Sequence, residues 1–540
     1  MTAAATAPVL ARNSRFSGRL AGTGALLRLA LRRDRLMLPV WILALGGTLV
    51  SGAGTLAKLY DTAAKRADLA ESMNGNSSLR ALYGPVFADS LGALNAWRLG
   101  GFMAVLAAVM SLMIVVRHTR DEEETGRQEL LSSACVGRHA PLASALLTAL
   151  LANAGVALIT TAGLAKSTGS TAGSAALGLA VGATGMAFAG VAAITAQLTE
   201  SGRLSKGLAG AVLGAAFVLR AAGDTSSHDA SSVLDWLSPL GWAENVRPYA
   251  GERWWALLLL VVAAGAQSAV AYALAGRRDI GMGLVPPRPG PAEGRMATAY
   301  GLAWRLQRGA LTGWAAGFAV AGLLFGGMTK GATRLLGDNE QTKEMFRRMG
   351  GQSGLTSAYL AAIVGLLGMV AALYAAQSVL RLHGEETGGR AEPVLANAVG
   401  RLPWTAGHLV IAFGGSVLLM TVGGLGLAAG YGEGFGRILG AALVQVPAIW
   451  VLAGLAVLLY GAFPKAAPAT WGVVGVCLAL GWIGPALNLP RAALDLSPFG
   501  HLPKLPGTPM HWLPVLSLLA LAAALVGAGL AALRRRDISG

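Results

Sequence analysis

The stretch Asp121 to Arg138 reads DEEETGRQELLSSACVGR and lies between two long apolar runs of an otherwise basic chain. It gathers five of the 27 acidic residues, Asp121, Glu122, Glu123, Glu124 and Glu129. Leu130, Leu131, Ala134 and Cys135 come next at helical spacing, which predicts a short amphipathic helix. Gly126 should break the acidic run from that helix, and Gly137 can cap the helix at its end. A thinner copy stands at Glu385 to Arg401, EETGGRAEPVLANAVGR, matched to the first by treating Gly389 as an insertion. The chain is therefore expected to be built twice.

The flanking runs decide the fold class. A chain of 540 residues with 54% hydrophobic and 13% charged residues lies outside the range of soluble domains. Crossing a bilayer as helix takes about 20 mostly apolar residues, because every backbone polar group must be paired within the segment. About twelve such runs are present and alternating strands are not, so an all-α polytopic membrane protein is expected. The partner of its net charge of +16 is then lipid, and no nucleic acid is expected. The 75 glycines suit close helix packing in lipid, or reflect base composition equally well.

Residues 1–35 read as a cytoplasmic amphipathic arm, with arginines among headgroups and leucines at the acyl boundary. Residues 36–276 form a first six-span half, in which 58–97 reads as a polar outer loop and span 2 starts near Arg98. A linker at 277–300 holds Pro286, Pro287, Pro289 and Pro291 and cannot continue a helix. Residues 301–540 form the second half. Leu496-Ser497-Pro498-Phe499-Gly500 echoes Leu237-Ser238-Pro239-Leu240-Gly241, and Arg535-Arg536-Asp537 echoes Arg277-Arg278-Asp279. Matched landmarks in one order mark an internal repeat. An even number of spans per half makes the repeats parallel, about an axis along the membrane normal. Inner segments carry the larger share of the 43 Lys and Arg, which places both termini in the cytoplasm. Trp236, Trp242, Tyr249, Trp254 and Trp255 read as an aromatic belt at the outer leaflet.

No phosphate-binding GxxxxGK[ST] loop occurs, so the chain is expected to lack a nucleotide site, to be no enzyme and to hold no cofactor of its own. The seven histidines show no metal-ligand spacing and read as solvated or interfacial. No serine has a paired histidine and acid. Ion-coupled carriers keep carboxylates near the midplane. None falls there, which favours a separate ATPase as the energy source. Arg220 is the one deep charge; Asp224 could pair with it, but the simplest reading is that Arg220 snorkels outward.

The acidic loop helix placed directly after a span, its second copy, the two six-span halves and Trp236-Leu237-Ser238-Pro239-Leu240-Gly241-Trp242 together resemble the polyketide-antibiotic and multidrug exporter permeases of actinobacterial ABC systems. The resemblance covers the whole chain. It implies a permease that moves amphiphilic antibiotics or drugs outward across the bacterial cytoplasmic membrane, with two copies of a separately encoded ATPase that bind ATP and Mg. It implies coupling contacts at Glu122, Glu123, Glu124, Arg127, Glu129, Leu130, Leu131 and Arg138, and at Glu385, Glu386, Arg390, Glu392 and Arg401. It also puts spans 2 and 5 of each half on the substrate path, with Phe102, Met103, Met110, Met113, Phe217, Tyr359, Tyr374, Gln377, Trp471 and Trp482 as candidates. Met and aromatic linings suit hydrophobic small molecules. The rival readings are export of a lipid or native metabolite, and a non-transport membrane sensor or scaffold.

Overall fold

The computed structural model describes residues 18–75, 77–132, 136–226, 232–286, 298–336, 354–397, 399–482 and 494–537. They form helices and connections in two compact units, Met1–Pro289 and Gly290–Gly540. Among the described residues eleven helical stretches are long and apolar enough to cross a membrane, six in the first unit and five in the second.

In the first unit, α1 (Thr23–Arg33) precedes α2 (Met37–Leu59), the first span. Residues 58–97 are not a loop. They fold as α3 (Ala63–Asn74) and α4 (Ser77–Tyr83), then enter α5 (Leu91–Asn95). Leu69, Met73, Leu79 and Ala81 are buried there, and Arg80 donates to the carbonyl oxygens of Asp224 (3.0 Å) and Thr225 (3.3 Å). A few apolar side chains in a polar stretch suffice to hold it down, too few to stand out as a periodic signal. Span 2 accordingly starts at Leu91, where Ser90 accepts from the Ala93 amide (3.2 Å) as an N-cap. It passes through a π turn at Ala96–Gly100 into α6 (Gly101–Arg117).

After α6 come α7 (Arg120–Glu124) and α8 (Arg127–Ser132), then the long spans α9 (Ala140–Thr168), α10 (Thr171–Leu198) and α11 (Gly202–Ser226). Two short helices, α12 (Val233–Trp236) and α13 (Pro239–Glu244), lead to α14 (Trp254–Ala275). The core sits on α10, whose small residues let α9 approach. A Cβ added at Gly182 would lie 3.1 Å from the Asn153 carbonyl oxygen.

The second unit runs α15 (Ala299–Leu336), α16 (Leu355–Thr387), α17 (Ala391–Leu395), α18 (Arg401–Tyr431), α19 (Phe435–Leu443), α20 (Val446–Ala462), α21 (Ala469–Trp482) and α22 (Trp512–Arg535). Together α19 and α20 make one span, interrupted just before Pro447. The rest of the expected eleventh span, beyond residue 482, lies outside the described residues. Here α15 and α18 meet backbone to backbone, and a Cβ at Gly426 would lie 2.9 Å from the Ala319 carbonyl oxygen. At these crossings glycine serves packing, which in lipid depends on close approach. His408 corrects the reading of the histidines as solvated: it is buried, its Nδ1 2.8 Å from the Gln307 amide nitrogen. A buried imidazole needs such a partner, and Gln307 one turn after Trp304 gives no sequence hint of it. Cys477 is buried too, and Cys135 lies outside the described residues.

Candidate functional site

The acidic stretch folds as two short helices about one left-handed glycine. Gly126 has φ 71°, a region that a side chain enters only at a cost, so α7 ends there and α8 leaves in a new direction. In the second unit the same conformation falls on Gly389, φ 67°. That overturns the reading of Gly389 as an insertion. Matched on this turn, the two copies keep one constant separation from Glu122 to Arg138, and Glu122, Glu123, Arg127 and Arg138 correspond to Glu385, Glu386, Arg390 and Arg401.

The contacts keep the same register. Glu123 receives both terminal nitrogens of Arg278, at 2.5 and 2.7 Å, and Glu386 receives those of Arg536 at 2.6 and 2.7 Å. Arg138 donates to the Arg278 carbonyl oxygen (2.5 Å), and Arg401 to that of Arg536 (2.6 Å). Glu122 faces Arg127 at 3.6 Å and also binds Arg33; Glu385 faces Arg390 at 2.8 Å and Arg381 at 2.6 Å. In the first unit α7, directly after the second span, and in the second unit the last turn of the second span itself, α16, are thus latched to the end of the last span by a bidentate pair, the strong form of carboxylate recognition.

A third group completes each latch. In the first unit Arg120, fully buried, binds Glu123, the Thr199 carbonyl oxygen and, at 2.9 Å, that of Met282. In the second, Tyr460 donates to Glu386 (2.7 Å) and Arg536 lies over its ring at 5.0 Å. The hydrogen bonds that the Arg536 guanidinium donates to Glu386 hold it above its ordinary pKa, so it stays charged.

Glu123 and Glu386, with side chains 4% and 1% exposed, therefore face inward. Asp121 pairs with Lys206 (2.7 Å), and Glu124 accepts from the Gly202 amide (2.9 Å) at the start of α11, where a carboxylate meets the positive end of the helix dipole. Gly137 is not a cap. Its amide donates to the Ala21 carbonyl oxygen (2.9 Å), and an added Cβ would overlap Arg19. Among the described residues the exposed charged side chains are Glu124, Arg127, Glu129 and Arg138 in the first copy and Arg390 and Glu392 in the second. The side chains of Leu130 and Leu131 lie outside the described residues.

At the other end of the first unit, Arg220 does not snorkel. Its side chain is 4% exposed and lies 3.5 Å from Asp224 and 3.3 Å from Glu244, while it donates to the carbonyl oxygens of Ala81 and Leu82 at 3.0 Å each. Asp224 is the partner that the sequence offers; the other acceptors, from α4 and α13, are the ones that sequence reasoning lacks. Burial pushes the Glu244 carboxyl up to about 7; Arg220 pulls it down and the Asp235 charge adds to the rise. The aromatic belt is partly a packed layer, with Trp236 and Trp255 stacked at 5.2 Å and Trp242 donating to the Trp236 carbonyl oxygen at 2.7 Å.

The candidate path residues scatter. Met103, Met110, Tyr359 and Tyr374 pack in cores, and both tyrosine hydroxyls donate to backbone, Tyr359 to Phe325 (3.2 Å) and Tyr374 to Ile411 (3.0 Å). Gln377 accepts from the Trp314 indole (3.0 Å). Met113 and Trp471 are exposed, and the Trp482 side chain lies outside the described residues. Phe102 meets Tyr83 edge-on at 5.4 Å. Phe217 lines a cavity, a space of about 70 Å³ under α13 shared with Tyr83, Phe87, Trp97, Arg220 and Glu244. The signal that could have found it is Tyr83-Gly84-Pro85-Val86-Phe87, two aromatics about a Gly-Pro turn.

The family model for the multidrug efflux system permease Rv1217c, C-terminal domain, matches residues 24–276 and 296–534. The multidrug efflux system permease protein Rv1217c of Mycobacterium tuberculosis (strain ATCC 25618 / H37Rv) is 43% identical over 537 residues, which cover 98% of this chain and 96% of that protein. The acids of both latches, Glu123 and Glu386, fall inside the matched segments, while their partners Arg278 and Arg536 lie just past the ends of those segments. With its twofold sequence pattern and its membrane-spanning helices, the chain belongs to the Rv1217c family of multidrug efflux system permeases.

Proposed function

We propose that this chain is the membrane subunit of an ATP-driven exporter that moves amphiphilic drugs outward, coupled through α7–α8 and α17 to two copies of a separately encoded ATPase. ATP and Mg bind in that partner, and the permease contributes no nucleotide site. Both termini and both acidic segments face the cytoplasm of a bacterial plasma membrane, as the charge bias of the inner segments supports.

The observation that carries this reading is the recurrence of one latch in both units. A short helix or helix end pinned through a buried bidentate pair to the end of another span moves with that span. A push on its exposed side chains is then delivered to the spans instead of being absorbed in a loop. Glu124, Arg127, Glu129 and Arg138 are the outward charges a partner would meet first, and the inward Glu123 and Glu386 transmit.

The two contacts are unequal. Where the first copy has Leu130-Leu131 the second has Pro393-Val394, and Pro393 removes a backbone donor from the five-residue α17. Gly389, lying in the turn, adds no cost to that helix. Removing an apolar anchor and its flanking charge from the centre of an interface costs about 2 kcal/mol or more. Glu129→Ala with Leu131→Ala should therefore reduce copurification of the ATPase and drug-stimulated ATP hydrolysis more than Glu392→Ala with Val394→Ala. If neither pair has any effect while expression holds, these segments are not the coupling contacts.

A further inference from the structure

The cavity under α13 has a feature that packing does not explain. Glu244 gives Oε2 to Arg220 at 3.3 Å, but its buried Oε1 has no hydrogen-bond partner among the described residues. A buried carboxylate oxygen left unpaired is costly, and such a group marks a place where something else binds. The fold makes room for the carboxylate itself. Gly84, at φ 86°, is where an added Cβ would overlap the Glu244 carboxylate, so conformation and space both demand glycine there. Next to it Trp97 donates to the Gly84 carbonyl oxygen (2.9 Å) and stacks at a tilt on Tyr83, 5.1 Å between ring centres.

Carboxylate and rings together specify a ligand class. Phe217 and Phe87 already have cations over their faces, Arg220 at 5.0 Å and Arg247 at 4.2 Å, so the lining suits cation–π contact. At about 70 Å³ the cavity is well below the roughly 300 Å³ that a drug-sized ligand fills. It holds a head group, not a body. Arg247 and Tyr249, which flank the lining residue Pro248, have φ of 51° and 63°, a strained backbone that the packing of the outer segment holds in place. The second half has no such acid: matched on Leu237-Ser238-Pro239 and Leu496-Ser497-Pro498, Glu244 corresponds to Pro503.

From this geometry we infer that the first half carries a binding site for the ammonium head of a small-headed organic cation, held by Glu244 and the Tyr83 and Trp97 rings. The inference rests on the export reading for its purpose, as a site on the substrate's route, but its occupancy is a property of the permease alone. The charged groups facing Glu244 are Arg220 and Asp224 from α11, Asp235 from α12 and Arg247 just after α13, while Arg80 from α4 acts on Asp224 behind them. Proton and cation compete for the one carboxylate, so affinity should rise with pH through about 7 and level off above it.

The test is equilibrium binding of radiolabelled hexyltrimethylammonium to the full-length permease in nanodiscs of neutral lipid, without ATPase, with hexanesulfonate as the anionic competitor. Saturable binding is expected, weaker at pH 6 than at pH 8 and indifferent to hexanesulfonate. Glu244→Gln should weaken it at least tenfold, Glu244→Asp should retain most of it, and Ala104→Leu, which fills the cavity from α6, should remove it. Equal affinity of wild type and Glu244→Gln, or competition by hexanesulfonate, overturns the inference. If Glu244→Gln does not fold, the wild-type pH series decides, and a flat profile is the contrary result. A permease that binds no cation yet supports ATP-driven efflux sinks this inference and leaves the export reading intact; the reverse pattern does the opposite.

Discussion

Glu123→Ala should lower the stability of the first unit by about 4 kcal/mol, because it leaves two buried cations without their carboxylate. Arg120 is fully buried and the Arg278 side chain is 8% exposed, so water cannot replace what is lost. Glu386→Ala in the second unit should cost less, about 3 kcal/mol, since Arg536 is 14% exposed and keeps the Tyr460 ring beneath it. Thermal unfolding of each variant in nanodiscs measures both. Removing the charges together distinguishes a latch from mere packing: Glu386→Leu with Arg536→Met should recover most of the midpoint lost by Glu386→Ala, as apolar replacement of a whole buried pair is close to neutral. The recovered protein should still be impaired in drug-stimulated ATP hydrolysis, because the tie between the end of α16, from which α17 departs, and the end of α22 is gone. Full stability in Glu123→Ala would mean that the bidentate pair has no energetic role.

Arg220→Met is the second large effect. It strips the carboxylates of Asp224 and Glu244 of their shared cation and the carbonyl oxygens of Ala81 and Leu82 of their donor, all in a buried setting. A loss of about 3–5 kcal/mol is expected, with α3–α4 and α12–α13 loosening first. Hydrogen exchange on those segments would show it. Arg220→Lys should restore only part, because one ammonium cannot reach four acceptors spread over three elements. Unchanged protection in α12–α13 would place the anchoring of that segment elsewhere, on Ser238, which donates to the Ala216 carbonyl oxygen at 2.7 Å.

The spans are legible in the sequence because twenty apolar residues in a row have one physical meaning, and the repeat is legible because its landmarks are short and ordered. The latch is half legible. Its acids stand out by composition, and the Arg-Arg-Asp echo stands out by repetition, but nothing in one dimension says that Glu123 meets Arg278 across 155 positions. The register slip at Gly389 has a specific cause: identity matching favours Glu-Thr-Gly over Glu-Thr-Gly-Gly, whereas the backbone is organised by whichever glycine takes φ near 70°. Arg220 misleads because a lone charge near a span end ordinarily reaches water, and the acceptors that hold it come from α4 and α13, segments that read as loop. The path candidates are Met, aromatic and one Gln residue along spans 2 and 5, picked out by type. Type does not say which face a helix presents, and several of them are core.

The central claim is that this permease is driven by a partner's ATP hydrolysis through the two latched segments. The most direct measurement is efflux of a fluorescent amphiphilic drug from proteoliposomes holding the permease and its ATPase, started either by ATP or by a proton jump. Drug movement is expected with ATP, and none with a catalytically dead ATPase or with the proton gradient alone. Accumulation of drug against its gradient by the permease alone, on a proton jump, would contradict the claim.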